Sequence, residues 1–177
     1  MDRLHADPSG DESSPERVAD VGACLRGFLA EHHTLVLATV VDGQPWCTRV
    51  FFAEVLGGEP CFAEELGGEP CLTLYLLAKT PSRKLTNLEA NDRVGVFVGT
   101  EQPTAWLEAR GRATVLRDPT DDAAARARVL AKSPEAGPFL ARVTAEAVRV
   151  RIEWLRLTDV RVTPRRVIEI EADAAEA

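Results

Sequence analysis

Several segments of this sequence have the composition and spacing of β-strands, and the stretches between them are short. Residues 34–41 form an apolar, β-branched run, and in residues 148–154 apolar positions alternate with charged ones, as on a half-buried strand. The gaps between strands are too short for a repeated βαβ arrangement. Six or more strands, interrupted by small helices, predict a mainly β protein that forms a closed antiparallel barrel.

The composition argues against several classes of function. The 177 residues, 45% of them hydrophobic, are expected to bury a single core. A net charge of −7 argues against broad binding to nucleic acid or to an anionic membrane, but it allows a local cationic pocket. No apolar run could span a bilayer and no signal core precedes the domain, so a cytoplasmic location is expected. The cysteines and histidines lack metal-ligand spacing, and no metal site is predicted.

One domain is predicted over residues 14–171, with a tail at each end. Residues 1–13 have almost nothing to bury and are expected to be disordered. The alanine-rich residues 172–177 are expected to fray.

A polar turn near the middle of the chain carries the most suggestive cluster of side chains. An apolar strand ends there and a short helix is predicted, with Thr80 as its N-cap and Pro81 in the first helical position. Ser82, Arg83 and Lys84 would then lie in the first turn, near unpaired backbone N–H groups and the positive end of the helix dipole. A hydroxyl, a guanidinium and an ammonium placed there suit a bound phosphate. The same pattern also fits a solvated first turn with two surface cations.

Two residues inside predicted strands are unusual for their positions. Arg49 follows a hairpin signal at Asp42–Gly43 and shares a strand face with apolar residues, which is costly unless an anionic group meets it. Either a glutamate or a ligand phosphate would serve. Gly111 lies in the middle of a long strand, which predicts a bulge or the close approach of a neighbouring backbone or a ligand.

A tandem duplication separates the second and third predicted strands. Residues 52–61 and 62–71 match at nine of ten positions. We predict that one copy supplies a hairpin and that the other lengthens it or bulges at its tip. Because ten is even, an added extended segment preserves which face each later side chain meets. No function is assigned to the duplication.

The order of four segments resembles the split β-barrel flavoproteins related to pyridoxamine 5′-phosphate oxidase. The segments are L-A-T-V-V-D-G-Q-P-W (37–46), T-R-V-F-F (48–52), S-R-K-L-T-N-L-E-A-N-D-R-V (82–94) and E-A-R-G-R-A (108–113). Within these proteins the chain is most similar to a bacterial subgroup that carries H-H-x-L-x-L-A-T and D-G-Q-P-W-C, here residues 32–39 and 42–47.

The resemblance implies a split barrel that forms a homodimer with FMN at the subunit interface. It also implies an FMN-dependent oxidoreductase acting on an unidentified small molecule. Arg49 matches the family arginine that helps to hold the FMN phosphate, and the backbone of Val50 and Phe51 matches positions along the flavin ring. Arg83 and Lys84 match the basic pair at the phosphate, in the S-R-K turn.

The sequence departs from the oxidase at several family positions. Leu77 and Ala78 replace an aromatic–threonine pair, so that Ala78 lacks a hydroxyl that contacts the cofactor. Trp106 stands in place of a glutamine. No histidine follows His33, so the C-terminal Arg-x-His signature is absent and pyridoxamine-phosphate oxidation itself is not expected. No general base is recognised, and the catalytic residues remain unknown.

Three alternatives to FMN chemistry follow from these departures. The deazaflavin F420 would be favoured by a wider basic groove that adds Lys79, Arg110 or Arg112. Haem would need an axial ligand, for which His32 or His33 is the nearest candidate. A non-catalytic flavin-binding or cofactor-free dimer, acting as a sensor, store or scaffold, is the third. The tryptophans are interpreted as core or interface packing.

Overall fold

The computed structural model describes residues 15–57, 72–100, 102 and 104–171. The predicted tails at 1–13 and 172–177 lie outside these residues. The elements in order are α1 (Pro15–Ala30), β1 (Thr34–Val41), β2 (Gln44–Leu56), β3 (Leu72–Lys79), α2 (Arg83–Ala90), β4 (Arg93–Gly99), β5 (Ala105–Val115), α3 (Pro119–Lys132), a 3-10 turn (Pro134–Ala136), α4 (Gly137–Leu140), β6 (Ala145–Asp159) and β7 (Arg166–Glu171). No helix among them is long and apolar enough to cross a membrane.

The strands form one antiparallel sheet in the order β3-β2-β1-β4-β5-β6-β7. A further pairing of β3 with β6 closes the first six strands into a barrel, which confirms the predicted fold class. β6 makes this closure possible because it is 15 residues long: its first half pairs with β3 and its second half with β7. Residues 148–154, predicted as a half-buried strand, therefore belong to a longer strand that continues as far as Asp159.

The alternation of side chains along the strands divides the apolar residues into two layers. The barrel interior contains residues such as Phe52, Leu74 and Leu107, each 0% exposed, and receives side chains from α1 and α2. A smaller cluster on the outside of the wall is covered by α3, which contributes Ala125 and Val129. α3 begins at a capped end, where the Asp118 carboxylate accepts two backbone N–H groups.

The first copy of the duplication enters the barrel wall. Its residues as far as Leu56 belong to β2, and Leu56 pairs with Leu72 at the start of β3. β2 and β3 are antiparallel neighbours, as expected for a single hairpin. The second copy lies outside the described residues, so the prediction that one copy supplies the hairpin and the other lengthens it or bulges at its tip stays a prediction.

Candidate functional site

The predicted phosphate cluster lies where β3 leads into α2, but the helix begins later than the sequence indicates. Thr80 does not cap it, because its N–H donates to the carbonyl of Thr144 (2.8 Å) and its hydroxyl donates to Glu146 (2.7 Å). α2 begins at Arg83, with Ser82 as the N-cap, and the proline before Ser82 lies outside the helix. The predicted N-cap is therefore wrong, since contacts near the start of β6 hold the threonine.

Ser82, Arg83 and Lys84 nevertheless lie together at the start of α2. The Ser82 Oγ atom is buried and has no hydrogen-bond partner. The Arg83 guanidinium stacks on the exposed ring of Trp46, with Cζ 3.8 Å from the ring centroid. Lys84 is partly buried, and this burial lowers the pKa of its ammonium group. The first N–H groups of a helix have no intrahelical partners, so backbone donors are available beside these side chains.

Arg49 lies on the outer surface of the barrel. It pairs across the sheet with Val36 of β1, whose other neighbour is Phe97 of β4. With Gly99, these residues help to line a shallow cavity of about 130 Å³. The Arg49 side chain is exposed, and no carboxylate in the described part of the chain pairs with it. Of the two anionic partners considered for Arg49, a glutamate is therefore not found among these residues.

The other predicted cofactor residues are distributed over both sides of the barrel wall. Val50 and Ala78 point into the core and are 7% and 1% exposed. Phe51 packs in the outer apolar cluster beneath α3, and Lys79 is exposed at the end of β3. Trp106 is half-buried on β5, beside the cavity at Arg49.

The predicted site residues that could contact a ligand through a side chain in a cluster fall into two separate groups. Arg49 and Trp106 share the outer surface of the barrel, whereas the Ser82 cluster lies at the start of α2. Arg83 stacks on Trp46 of β2. Arg49 is three positions further along the same strand, so the side chains of Trp46 and Arg49 lie on opposite faces of β2. No contact between described residues brings Arg49 to the Ser82 cluster.

Many of the other basic side chains are neutralised by acidic neighbours. Arginines paired with carboxylates include Arg110, Arg112, Arg117, Arg126, Arg156 and Arg161. Described cations without a carboxylate partner include Arg49, Lys79, Arg83, Lys84, Arg93, Arg128, Arg142, Arg149, Arg151 and Arg165. In a chain with 28 acidic and 21 basic residues, these unpaired cations are available to an anionic ligand.

A second cavity, not predicted from the sequence, lies between α3 and the barrel wall. It has a volume of about 160 Å³ and is lined in part by Tyr75, Asp121, Arg128 and Arg149. The Arg149 Nε atom is buried without a hydrogen-bond partner, and the Arg128 guanidinium lies 5.7 Å from the centroid of the Tyr75 ring. These donors suit a small oxyanion. Sequence reasoning missed the cavity because Arg149 occupies the polar face of an alternating strand, which α3 then covers.

A family model for pyridoxamine 5′-phosphate oxidase matches residues 23–177, which include every strand of the barrel. The chain belongs to the pyridoxamine 5′-phosphate oxidase family. Among curated proteins, none matches the chain.

Solved structures of other proteins share the barrel. A protein related to general stress protein 26, from Clostridium acetobutylicum, is 12% identical, with a TM-score of 0.61 over 87% of this chain and 96% of its own. An FAD-binding protein from Mesorhizobium loti is 19% identical, with a TM-score of 0.53 over 82% and 93%. A heme binding protein from Mycobacterium smegmatis is 20% identical, with a TM-score of 0.59 over 82% of this chain. The chain spans only 55% of the length of that protein. At these identities the likeness shows a common fold.

Most of the residues considered for F420 or haem have partners within the protein. Of the three cations expected to widen a groove for F420, Arg110 pairs with Glu171 and Arg112 pairs with Asp92 and Glu153, which leaves only Lys79 unpaired. His32 Nδ1 lies 2.8 Å from the carbonyl oxygen of Phe28, and His33 Nδ1 lies 2.6 Å from Glu135 Oε1. The described residues contain no cluster of three or more metal-ligating side chains.

Proposed function

We propose that this protein is an FMN-binding flavoprotein and an oxidoreductase acting on a small molecule. One observation carries the proposal: the buried Ser82 hydroxyl has no partner and adjoins two cations, Arg83 and Lys84, that have no carboxylate partner. A partly buried lysine without a counter-ion is unfavourable in the unliganded protein. A phosphate would satisfy all three groups and the free N–H groups of α2 together.

The chain's own residues would anchor and orient the cofactor. Ser82, Arg83 and Lys84 would bind the phosphate, whereas Arg49 lies apart from them on the outer surface and would not contact this phosphate within the same subunit. The backbone of β2 at Val50 and Phe51 would run along the ring. Bound flavin would supply the hydride or electron transfer.

Two observations bear on the choice of cofactor: what proteins of the same fold bind, and which charges of the site are already paired. The M. loti protein of the same fold is FAD-binding, and the M. smegmatis protein is heme binding. F420 is less favoured because Arg110 and Arg112 are already paired with carboxylates. Haem is the second candidate, and its ligand would be His32 or His33 through a nitrogen that the present contacts leave unused.

The cofactor can be identified directly from purified protein. We expect a flavin absorption spectrum and the release of FMN on denaturation, detected by mass spectrometry. A haem spectrum, or a colourless protein that takes up no added FMN, would contradict the proposal. If flavin is bound but no reducible or oxidisable substrate is found, the non-catalytic alternative replaces the enzymatic one.

The variant R83A/K84A tests the phosphate site. Each charge-assisted hydrogen bond contributes about 1.5–3 kcal/mol, so losing two should weaken FMN binding by about 100-fold or more. Binding is measured by quenching of flavin fluorescence in parallel titrations with FMN and with riboflavin, which has no phosphate. Riboflavin affinity should change little.

A matched control removes two other positive charges from exposed positions without carboxylate partners. The variant R151A/R165A has the same net charge as R83A/K84A, so it reports the general electrostatic effect alone. Its FMN affinity should stay within about twofold of the wild type, because exposed charges at a distance are screened. Equal affinities for R83A/K84A and this control would refute the assignment.

We also propose that the protein is a homodimer with the cofactor at the interface. Phe97 is 40% exposed on the outer surface of β4, beside Arg49 and Val36. Phe97 lies next to Val36 and the half-buried Trp106, so the exposed ring is part of a contiguous apolar surface, which is typical of a protein–protein contact. A second copy placed on this surface would cover both Phe97 and the cavity at Arg49.

Replacing Phe97 by glutamate should convert the dimer to a monomer and weaken FMN binding, because a charge would be buried in the interface. Sedimentation velocity at micromolar concentration measures the change. The control is Phe139→Glu, since Phe139 is 51% exposed on α4 and does not line the cavity at Arg49. A wild type that sediments as a monomer, or a Phe97→Glu variant that stays dimeric, would refute the proposed interface.

A further inference from the structure

The contact between Arg83 and Trp46 joins two elements that are distant in sequence. Trp46 lies on β2 just after the hairpin turn, and its ring is 41% exposed. The Arg83 Cζ atom lies 3.8 Å from the centroid of this ring, within the range of a cation–π contact. Among the described residues Arg83 has no carboxylate partner, so the indole ring is the group that holds its guanidinium.

Stacking holds a guanidinium differently from an ion pair. Arg156 and Arg112 use N–H groups to bind Glu169 and Asp92, which consumes their donors. A guanidinium that stacks through its face keeps its N–H groups, which lie along its edge, available to an oxyanion. Stacking thus limits the freedom of the Arg83 side chain without using the donors that a phosphate needs.

The position of Trp46 relative to α2 is set by a buried hydrogen bond. Trp46 pairs with Thr39 across the β1–β2 hairpin. The Thr39 hydroxyl accepts from Asn87 Nδ2 of α2 at 2.9 Å, and these two residues are 2% and 1% exposed. This bond ties the end of β1 to the helix that begins with Arg83. The stacked pair is therefore part of a defined arrangement.

We infer that Trp46 is a positioning residue for the phosphate group of the cofactor. Its ring holds the guanidinium of Arg83, the residue that follows Ser82, with the N–H edge free to donate to phosphate oxygens. The inference rests on the proposed phosphate site and adds to it a residue that acts through Arg83. It predicts that loss of the Trp46 ring weakens the binding of a phosphorylated ligand and leaves the binding of the same ligand without phosphate unchanged.

Two Trp46 variants and one control variant test this role. Trp46→Leu removes the ring and should weaken FMN binding about 5- to 10-fold, as expected for a cation–π contact. Trp46→Tyr keeps an aromatic face and should restore affinity to within about threefold of the wild type. Trp154→Leu is the control, because Trp154 lies near Arg110 and Arg156 (5.6 and 5.7 Å), away from α2, and should leave FMN affinity unchanged.

The riboflavin titration separates positioning from structure. Trp46→Leu should bind riboflavin as the wild type does, because only the phosphate contact is lost. Equal weakening for FMN and riboflavin would show a structural role and overturn the inference. Wild-type FMN affinity in Trp46→Leu would overturn it as well.

Inorganic phosphate provides a probe that does not depend on FMN. The indole N–H resonance of Trp46 in ¹⁵N-labelled protein, assigned by its absence in Trp46→Leu, should shift on titration with phosphate and should not shift in Arg83→Ala. A protein that shows this shift but binds no FMN would refute the proposed function and support the inference about Trp46. A protein that binds FMN without any shift of this resonance, and with Trp46→Leu unaffected, would refute only the inference.

Discussion

Replacing Gly111 by alanine is expected to reduce the free energy of unfolding by about 3 kcal/mol or more, or to prevent folding. A Cβ atom at this position would lie 2.0 Å from the carbonyl oxygen of Arg151 and 3.0 Å from Cα of Ile152. Both atoms belong to the backbone of β6, which cannot move aside without breaking its ladder with β5. Urea denaturation followed by circular dichroism measures the loss.

Gly27→Ala is the control for this substitution. Gly27 lies in α1, where an added Cβ meets nothing within 4 Å. Alanine there should leave stability unchanged or raise it by up to about 1 kcal/mol, because alanine has the higher helix propensity. A Gly111→Ala variant as stable as this control would show that the backbone of β6 does not approach β5 this closely at the bulge.

Replacing Lys132 by methionine is expected to destabilise the fold by about 2–3 kcal/mol. Lys132 Nζ donates to the carboxylate of Glu54 and to the carbonyl of Leu29, and it lies 3.8 Å from the ring centroid of Phe52. The two charged side chains are only 13% and 18% exposed. Burial lowers the pKa of Lys132, while the hydrogen bond with Glu54 raises it and offsets part of that effect. Without the lysine, Glu54 would keep a largely buried charge with no partner.

A double-mutant cycle separates this pair from simple loss of packing. Lys132→Met and Glu54→Leu should each be destabilising, whereas E54L/K132M should recover most of the stability, since replacing a whole buried pair by apolar residues is often neutral. Urea denaturation of the four proteins gives the coupling energy. Strictly additive losses would mean that the two charges do not interact in the folded state.

The local features of the fold were predictable because they depend on residues close together in the chain. Asp42–Gly43 signals a tight hairpin, and both residues have positive φ, 50° and 72°, at the turn between β1 and β2. Gly111 predicts a bulge or close approach, and the register of β5 with β6 shifts between Arg110 and Gly111. In both cases the backbone requirement is visible in the residue type itself.

The candidate site was predicted only in part. Ser82, Arg83 and Lys84 were recognisable as a cluster because they are consecutive in the chain. The sequence favours core or interface packing for Trp46; in the structure it is 41% exposed and stacks with Arg83. Nothing in the spacing of residues 46 and 83 indicates this contact. The roles of the predicted cofactor residues stay predictions, which the titrations above test.

The sequence by itself determined which segments become strands and where the hairpin turns. These properties depend on side-chain alternation and local backbone preferences, which each short segment carries with it. Only the tertiary structure decided that Thr80 is held by Thr144 and Glu146, and that Lys132 reaches Glu54. Such contacts join residues from different elements, so they depend on how the closed barrel brings strand ends and helices together in space.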